Sequence, residues 1–161
     1  MRELHPAMTG LRPATPSLVH YPGIPTLPEG TERYRAKGGG SVVMRVEPGD
    51  RVSVIDSEGG QVCEISFLDE KGRFLAAGLG TAFSNSAEGL KAILQAEDES
   101  AARTRAALQR RGADLAVAGA LCIFGAGSTP GSRADFTISM KGLLIVAAPA
   151  SAMSPEAQDT A

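Results

Sequence analysis

The sequence predicts a mainly β domain, a distorted β-sandwich or barrel of short antiparallel strands with two inserted helices. Short runs that alternate between apolar and polar residues recur along the chain, and Gly- and Pro-containing turns bound them. The 19 glycines and 10 prolines favour many turns and therefore many short elements. Between Ser86 and Arg111 the apolar period changes to that of an amphipathic helix.

Composition limits the class of protein. A chain of 161 residues is long enough for one domain with a real core. The net charge of −2 and the absence of Trp give no reason to expect nucleic acid or an anionic membrane as a partner. No apolar run reaches the roughly 18 residues that a membrane span needs. Prolines interrupt the N-terminal region, so we predict no secretory signal and expect a cytoplasmic protein.

Residues 1–35 are predicted to form a proline-rich extended arm, because six of the ten prolines lie between Pro6 and Pro28. His5 and His20 both lie in this arm, without Cys, Asp or Glu at ligand spacing. We therefore expect them to be exposed or packed rather than to bind a metal. Residues 36–150 are predicted to form a single β-rich domain, and residues 151–161 a tail or linker.

Three strands are predicted between Gly38 and Arg73, with turns at Pro48-Gly49 and Gly59-Gly60. They cover residues 41–46, 51–56 and 61–68, and we interpret them as an antiparallel meander that the rest of the chain must cover. In the third strand, Cys63, Ile65 and Phe67 alternate with Glu64 and Ser66.

Glu64 is a carboxylate between apolar neighbours, and two interpretations stay open. It faces solvent and is ordinary, or it faces a cavity, where its pKa would rise and it could bind or shuttle a proton. Cys63 and Cys122 both lie in apolar runs, which predicts two buried thiols in a reducing compartment, with disulfide pairing or metal ligation as alternatives.

Two helices are predicted by their apolar spacing and end signals. In the first, Leu90, Ile93 and Leu94 share one face after the cap candidates Ser84, Asn85 and Ser86. The second runs over residues 98–111, with acidic residues at its start, basic residues at its end and Gly112 after it. The acidic run 97–99 is thus interpreted as a helix start rather than as a pair of catalytic acids.

The last third is predicted to return to strands at residues 115–117, 120–124, 136–140 and 143–148. The last of these is continuously apolar, as a central strand would be. The loop 125–134 begins Gly-Ala-Gly-Ser, but it lacks the Lys-Ser/Thr of a phosphate loop and no helix follows it. No Ser-His-Asp set can be argued, because both histidines lie in the arm.

Several motifs, in order, resemble the urea carboxylase-associated protein family. Asp56, Gly59 or Gly60, Gln61 and Glu64 stand at the positions of that family's D-x-x-G-x-Q-v-x-D motif. Residues 82–90, 107–115 and 129–151 resemble three later segments, and together the resemblance covers about two thirds of the chain. The family carries Asp where this chain has Glu64. Its His-Asp and Cys loop, its Cys before the long helix and its Cys near residues 150–151 are not here.

The resemblance implies a shortened, metal-free scaffold or assisting domain in amine or one-carbon metabolism. Zn or Fe and tetrahydrofolate would be cofactors of relatives or fused domains only. Such domains occur at the front of trimethylamine N-oxide demethylases fused to an aminomethyltransferase-like domain. The implied partner is a fused or separate catalytic domain, or a second copy of the chain.

Two other functions remain open at this stage. The family also implies a hydrolase or lyase for a small amine or amidine, with Glu64 as the catalytic candidate. Gln61, Glu64, Ser84 and Asn85 would then line the ligand-binding pocket. The third hypothesis is a small-molecule binding module without chemistry.

Overall fold

A computed structural model describes residues 27–150. The chain divides into two units after Arg33, which are described separately. In the first, residues 27–33 are exposed, and the Thr31 N–H donates to the Pro28 carbonyl at 3.0 Å, which forms a turn. His5 and His20, most of the predicted arm, and the predicted tail 151–161 lie outside the described residues.

The second unit is mainly β, as predicted, with two antiparallel sheets and two helices. One sheet has the strand order β1-β6-β3-β4, and the other is a two-stranded ribbon of β2 and β5. The strands are β1 (Gly40–Val46), β2 (Arg51–Asp56), β3 (Cys63–Asp69), β4 (Leu121–Phe124), β5 (Ser132–Thr137) and β6 (Gly142–Ala148). The helices are α1 (Glu88–Leu94) and α2 (Glu99–Arg110).

The two central strands of the four-stranded sheet, β3 and β6, are buried on both faces. Ile65, Phe67 and Leu144 on one face pack in a core with the inner residues of the β2–β5 ribbon. Ile145 and Ala147 on the other face pack in a second core with the apolar sides of α1 and α2. All seven residues of β3 and of β6 are therefore buried. The central position predicted for residues 143–148 is confirmed, because β6 lies between β1 and β3.

The predicted meander is wrong, although its three strands exist. β1 pairs with β6, β2 pairs with β5, and β3 pairs with both β4 and β6. None of the three pairs with another of them. The alternation of Cys63, Ile65 and Phe67 against Glu64 and Ser66 gives the two faces of β3 correctly. The second face is buried because the helices cover it.

The second predicted helix is confirmed together with its end signals. The Asp98 carboxylate accepts the Ala101 N–H at 2.8 Å, and Gly112, with φ of 69°, follows the C-terminal turn. Its buried face is narrow, with Ala101, Thr104 and Leu108. The Thr104 hydroxyl lies 3.0 Å from that of Ser41 and so joins α2 to β1.

The last third contains two corrections. Leu115–Val117 is a short 3₁₀ helix rather than a strand, because the Asp114 carboxylate caps it by accepting the Ala116 N–H at 2.9 Å. The loop after β4 ends sooner than predicted, because β5 begins at Ser132. No helix within residues 27–150 is long and apolar enough to cross a membrane.

Candidate functional site

Glu64 is 6% exposed on β3 and faces the start of α1. One carboxylate oxygen accepts the Gly89 N–H at 3.2 Å, and the other accepts the Leu90 N–H at 3.1 Å. The first N–H groups of a helix have no partner within it, and an anion is favoured there. The interpretation that Glu64 faces solvent is therefore wrong, because its buried carboxylate caps the N-terminus of a helix distant in sequence. A role of Glu64 in binding or proton transfer stays a prediction.

The second residue of α1, Gly89, has to be small for Glu64 to approach the helix N-terminus. A Cβ atom on Gly89 would lie 2.8 Å from Glu64 Oε2 and 2.8 Å from Pro149 Cγ. The residue at the N-cap position is Ala87, which has φ of 55° and no side-chain acceptor. The helix therefore has no side-chain cap from its own N-cap residue. The side chain of Asn85, a predicted cap candidate, accepts the Ala87 N–H at 3.0 Å, and Ala87 lies before the first residue of the helix.

Arg105 of α2 binds the opposite end of α1. Its guanidinium donates to the carbonyls of Leu94, at 2.5 Å, and Ala96, at 2.8 Å. A cation at the C-terminus complements the helix dipole just as an anion does at the N-terminus. A helix of seven residues is too short to be stable alone, and here remote charges bind both of its ends. Sequence reasoning missed Arg105, because a central arginine in α2 carries no local cap signal.

Gln61, three residues before Glu64, binds the chain after the last strand. Its side-chain amide donates to the carbonyls of Val62 and Pro149, both at 2.9 Å. Gly38 lies close on the other side, where a Cβ atom would be 3.2 Å from Gln61 Oε1. Gln61 therefore joins the start of β3 to the segment that follows β6.

Ser84 and Asn85 lie in an exposed segment along the start of β4. The Ser84 hydroxyl accepts the Cys122 N–H at 2.9 Å, and the backbone N–H of Asn85 donates to the Ala120 carbonyl at 3.0 Å. Cys122 in turn pairs across the strands with Glu64. The structure thus places Gln61 on the Pro149 carbonyl, Glu64 on the start of α1, and Ser84 and Asn85 along the start of β4. A ligand-binding role for the four remains a prediction.

Asp56 organises the turn that carries the motif residues. One oxygen accepts the Gly59 N–H at 2.9 Å, and the other accepts the Ser128 hydroxyl at 2.6 Å and the Gln61 N–H at 3.2 Å. The Ser128 hydrogen bond, with these backbone N–H groups, outweighs the opposing effect of burial and holds the Asp56 pKa below its ordinary value. Asp56 before Gly59 signals such a turn in the sequence, whereas nothing local indicates Ser128.

We expect the Asp56 carboxyl to titrate below the ordinary value of about 3.9 and to shift upward in Ser128→Ala. Because the folded-state pKa is lowered, Asp56 stabilises the fold fully above the unfolded-state pKa. That contribution is lost as the pH falls through the folded-state value. Carboxyl ¹³C NMR between about pH 6 and 2 measures the titration. Ser100→Ala is the matched control, since Ser100 is exposed and far from Asp56 in sequence. A wild-type value at or above the ordinary one would contradict the prediction.

The two cysteines differ in exposure. Cys63 is buried, as predicted, and burial together with nearby negative groups raises the pKa of its thiol to about 12. Cys122 is exposed, so the prediction of a second buried thiol is wrong. It lies on β4, which forms an edge of the four-stranded sheet.

We expect one thiol to react with a disulfide reagent in the native protein and two in denaturant. Cys63 stays protonated and covered at neutral pH, and the thiolate is the reactive form. Its native reaction should be at least about 100-fold slower than that of Cys122. Cys122→Ser should remove the fast phase. A fast phase of one thiol that persists in Cys122→Ser would contradict this assignment.

One shallow groove of about 330 Å³ lies on the β2–β5 ribbon. Its lining includes Arg51, Ser53, Arg133 and Asp135, and none of the four predicted ligand-binding residues. Within residues 27–150, no three of the His, Cys, Asp and Glu side chains form a group that could hold a metal ion.

These features define a β-rich domain in which the motif carboxylate, Glu64, binds a helix and Gln61 binds the end of the sheet. The chain is related to a segment of trimethylamine-oxide aldolase from Ruegeria pomeroyi, with 40% identity over 149 residues. The alignment covers 92% of this chain and 19% of that enzyme, so the chain spans about a fifth of its relative's length. No protein-family model and no solved structure matches the chain. The urea carboxylase-associated resemblance therefore stays a prediction.

Proposed function

We propose that this chain is an assisting scaffold domain of an amine-metabolising enzyme, similar to urea carboxylase-associated domains. Its catalytic partner is fused to it or separate. The proposal rests on one observation, namely that the motif residues Glu64 and Gln61 bind the backbone of their own domain. Both oxygens of Glu64 and the amide of Gln61 are engaged by backbone groups of the domain itself.

A general base must reach the proton that it removes from a substrate. Glu64 is buried, and its carboxylate meets the start of α1 at Gly89 and Leu90. Displacing this contact would leave two helix N–H groups without an acceptor. The arrangement therefore favours a structural role over the hydrolase or lyase hypothesis.

The relative supports the metabolic class. An enzyme named trimethylamine-oxide aldolase contains a related segment, and the other four fifths of its length lie outside the match. In our proposal, the metal and tetrahydrofolate chemistry belongs to such additional sequence. The domain's own contribution is a rigid β platform on which the catalytic part is held.

Three measurements test the proposal. The purified chain should consume no trimethylamine oxide, and elemental analysis should find no stoichiometric Zn or Fe. In a chimera, this chain replaces the matching segment of the Ruegeria enzyme, and we expect turnover to be retained there and lost when the segment is deleted. Turnover by the isolated chain, or one tightly bound Zn or Fe per chain, would overturn the proposal.

A further inference from the structure

Within the described part of the chain, no strand pairs with the outer edge of β5 in the β2–β5 ribbon. All six residues of β5 pair with β2 in regular register, without a bulge. Within residues 27–150 this sheet has no third strand. Natural edge strands are commonly protected by charged side chains, Pro or a bulge. β5, with the sequence SRADFT, has no Pro and no bulge, and its two charges are of opposite sign. Every second residue of such a strand directs its N–H and C=O away from the existing partner.

The outer face of β5 carries two opposite charges. The side chains of Arg133 and Asp135 are 56% and 60% exposed and bind each other at 2.8 Å. On the inner face between them, Ala134 is half-buried against the core. Because the residues are separated by two positions, both charges stand on the same face of the strand.

These charges select one register for pairing with a second copy. Two copies of β5 related by a two-fold axis at Ala134 place Arg133 opposite Asp135 of the second copy, and Asp135 opposite its Arg133. Opposite charges at facing positions stabilise a strand pair, and like charges destabilise it. Moving the axis by one residue places Arg133 opposite itself, or Asp135 opposite itself. The small side chain at 134 lets the strands meet at the axis.

We propose that two copies of this chain associate through the edges of β5, in antiparallel register centred on Ala134. The ribbon then becomes a four-stranded sheet of order β2-β5-β5-β2. The contact is isologous, so it closes at a dimer. Only two six-residue strands meet, so the interface is small and we expect a weak, concentration-dependent dimer. The proposal does not depend on the proposed function.

Sedimentation of the full chain from about 10 µM to 1 mM tests association. We expect a concentration-dependent rise from monomer to dimer mass. Arg133→Asp and Asp135→Arg should each weaken the dimer at least about tenfold, since each sets like charges opposite each other. The double variant restores opposite charges and should restore the dimer. The proposal would be overturned if the chain stayed monomeric throughout this concentration range, or if the double variant did not restore the dimer. A partner at this edge would then be a molecule other than a second copy.

Cross-linking tests the register. In the Cys122→Ser background, Ala134→Cys places two thiols at facing positions on the axis, where Cβ atoms lie about 5 Å apart. Ser132→Cys, on the same face of β5, is the matched control, because its two copies would be separated by four residues along the strands. Mild oxidation should cross-link the first variant faster than the second. Equal rates would overturn the register, and circular dichroism checks that both variants are folded.

Discussion

Replacing Glu64 with glutamine will lower the free energy of unfolding by about 2–3 kcal/mol. The amide keeps one acceptor and sets an NH₂ group against the other helix N–H, so a buried donor is left unsatisfied. The favourable negative charge at the start of α1 is lost as well. For a domain of this size, the melting temperature should fall by about 6–12 °C. Urea unfolding followed by circular dichroism measures the change.

Glu97→Gln is the matched control, because Glu97 is exposed just before α2, and we expect a change within about 0.5 kcal/mol. In the chimera with the Ruegeria enzyme, Glu64→Gln should keep the turnover of the parent wherever it remains folded. The hydrolase hypothesis predicts the reverse, namely lost activity with unchanged stability. Unchanged unfolding in Glu64→Gln would therefore contradict the structural role.

The strands and their faces could be predicted from the sequence, because alternation is a local property. Residues 41–46 and 51–56 match β1 and β2 closely, and the two faces of β3 follow from the period of two. The second helix could be predicted because Asp98 and Gly112 lie next to its ends. In each case the residues that indicate the strand or helix in the sequence lie within that element or next to its ends.

Strand pairing could not be predicted in the same way. Alternation states which face a residue occupies and not which strand lies beside it, so a sequential meander was as compatible with the pattern as the observed order. The pairing of β1 with β6 joins residues about a hundred positions apart, such as Val42 and Val146. Only the packing of both faces of β3 and β6 selects this order.

The contacts of the candidate site could not be predicted from the sequence either, because the partners are distant along the chain. Glu64 meets helix N–H groups 25 and 26 residues later, and Arg105 meets carbonyls of a different helix. Cys122 has an apolar sequence context, yet its strand lies at a sheet edge, where the chain is exposed. Residue type at these positions was informative, but the partner that decides the role is distant in sequence.

Gly142→Ala will destabilise the domain by about 3 kcal/mol or more. A Cβ atom there would lie 2.3 Å from the Leu68 carbonyl oxygen and 2.6 Å from Phe67 Cζ. Both neighbours are fully buried on β3, and a backbone oxygen in a sheet cannot move without loss of strand pairing. Urea and thermal unfolding measure the effect, with a fall in melting temperature of about 10 °C expected.

Gly125→Ala is the control, because a Cβ atom at Gly125 meets nothing within 4 Å. Neither glycine has a positive φ, so the two substitutions differ mainly in crowding, and we expect the control to change stability by less than about 1 kcal/mol. The pair of variants also tests the strand order. Gly142 is crowded only because β6 lies directly beside β3, with Gly142 opposite Asp69. A sequential meander would leave β3 with other neighbours, and the two variants would then unfold alike.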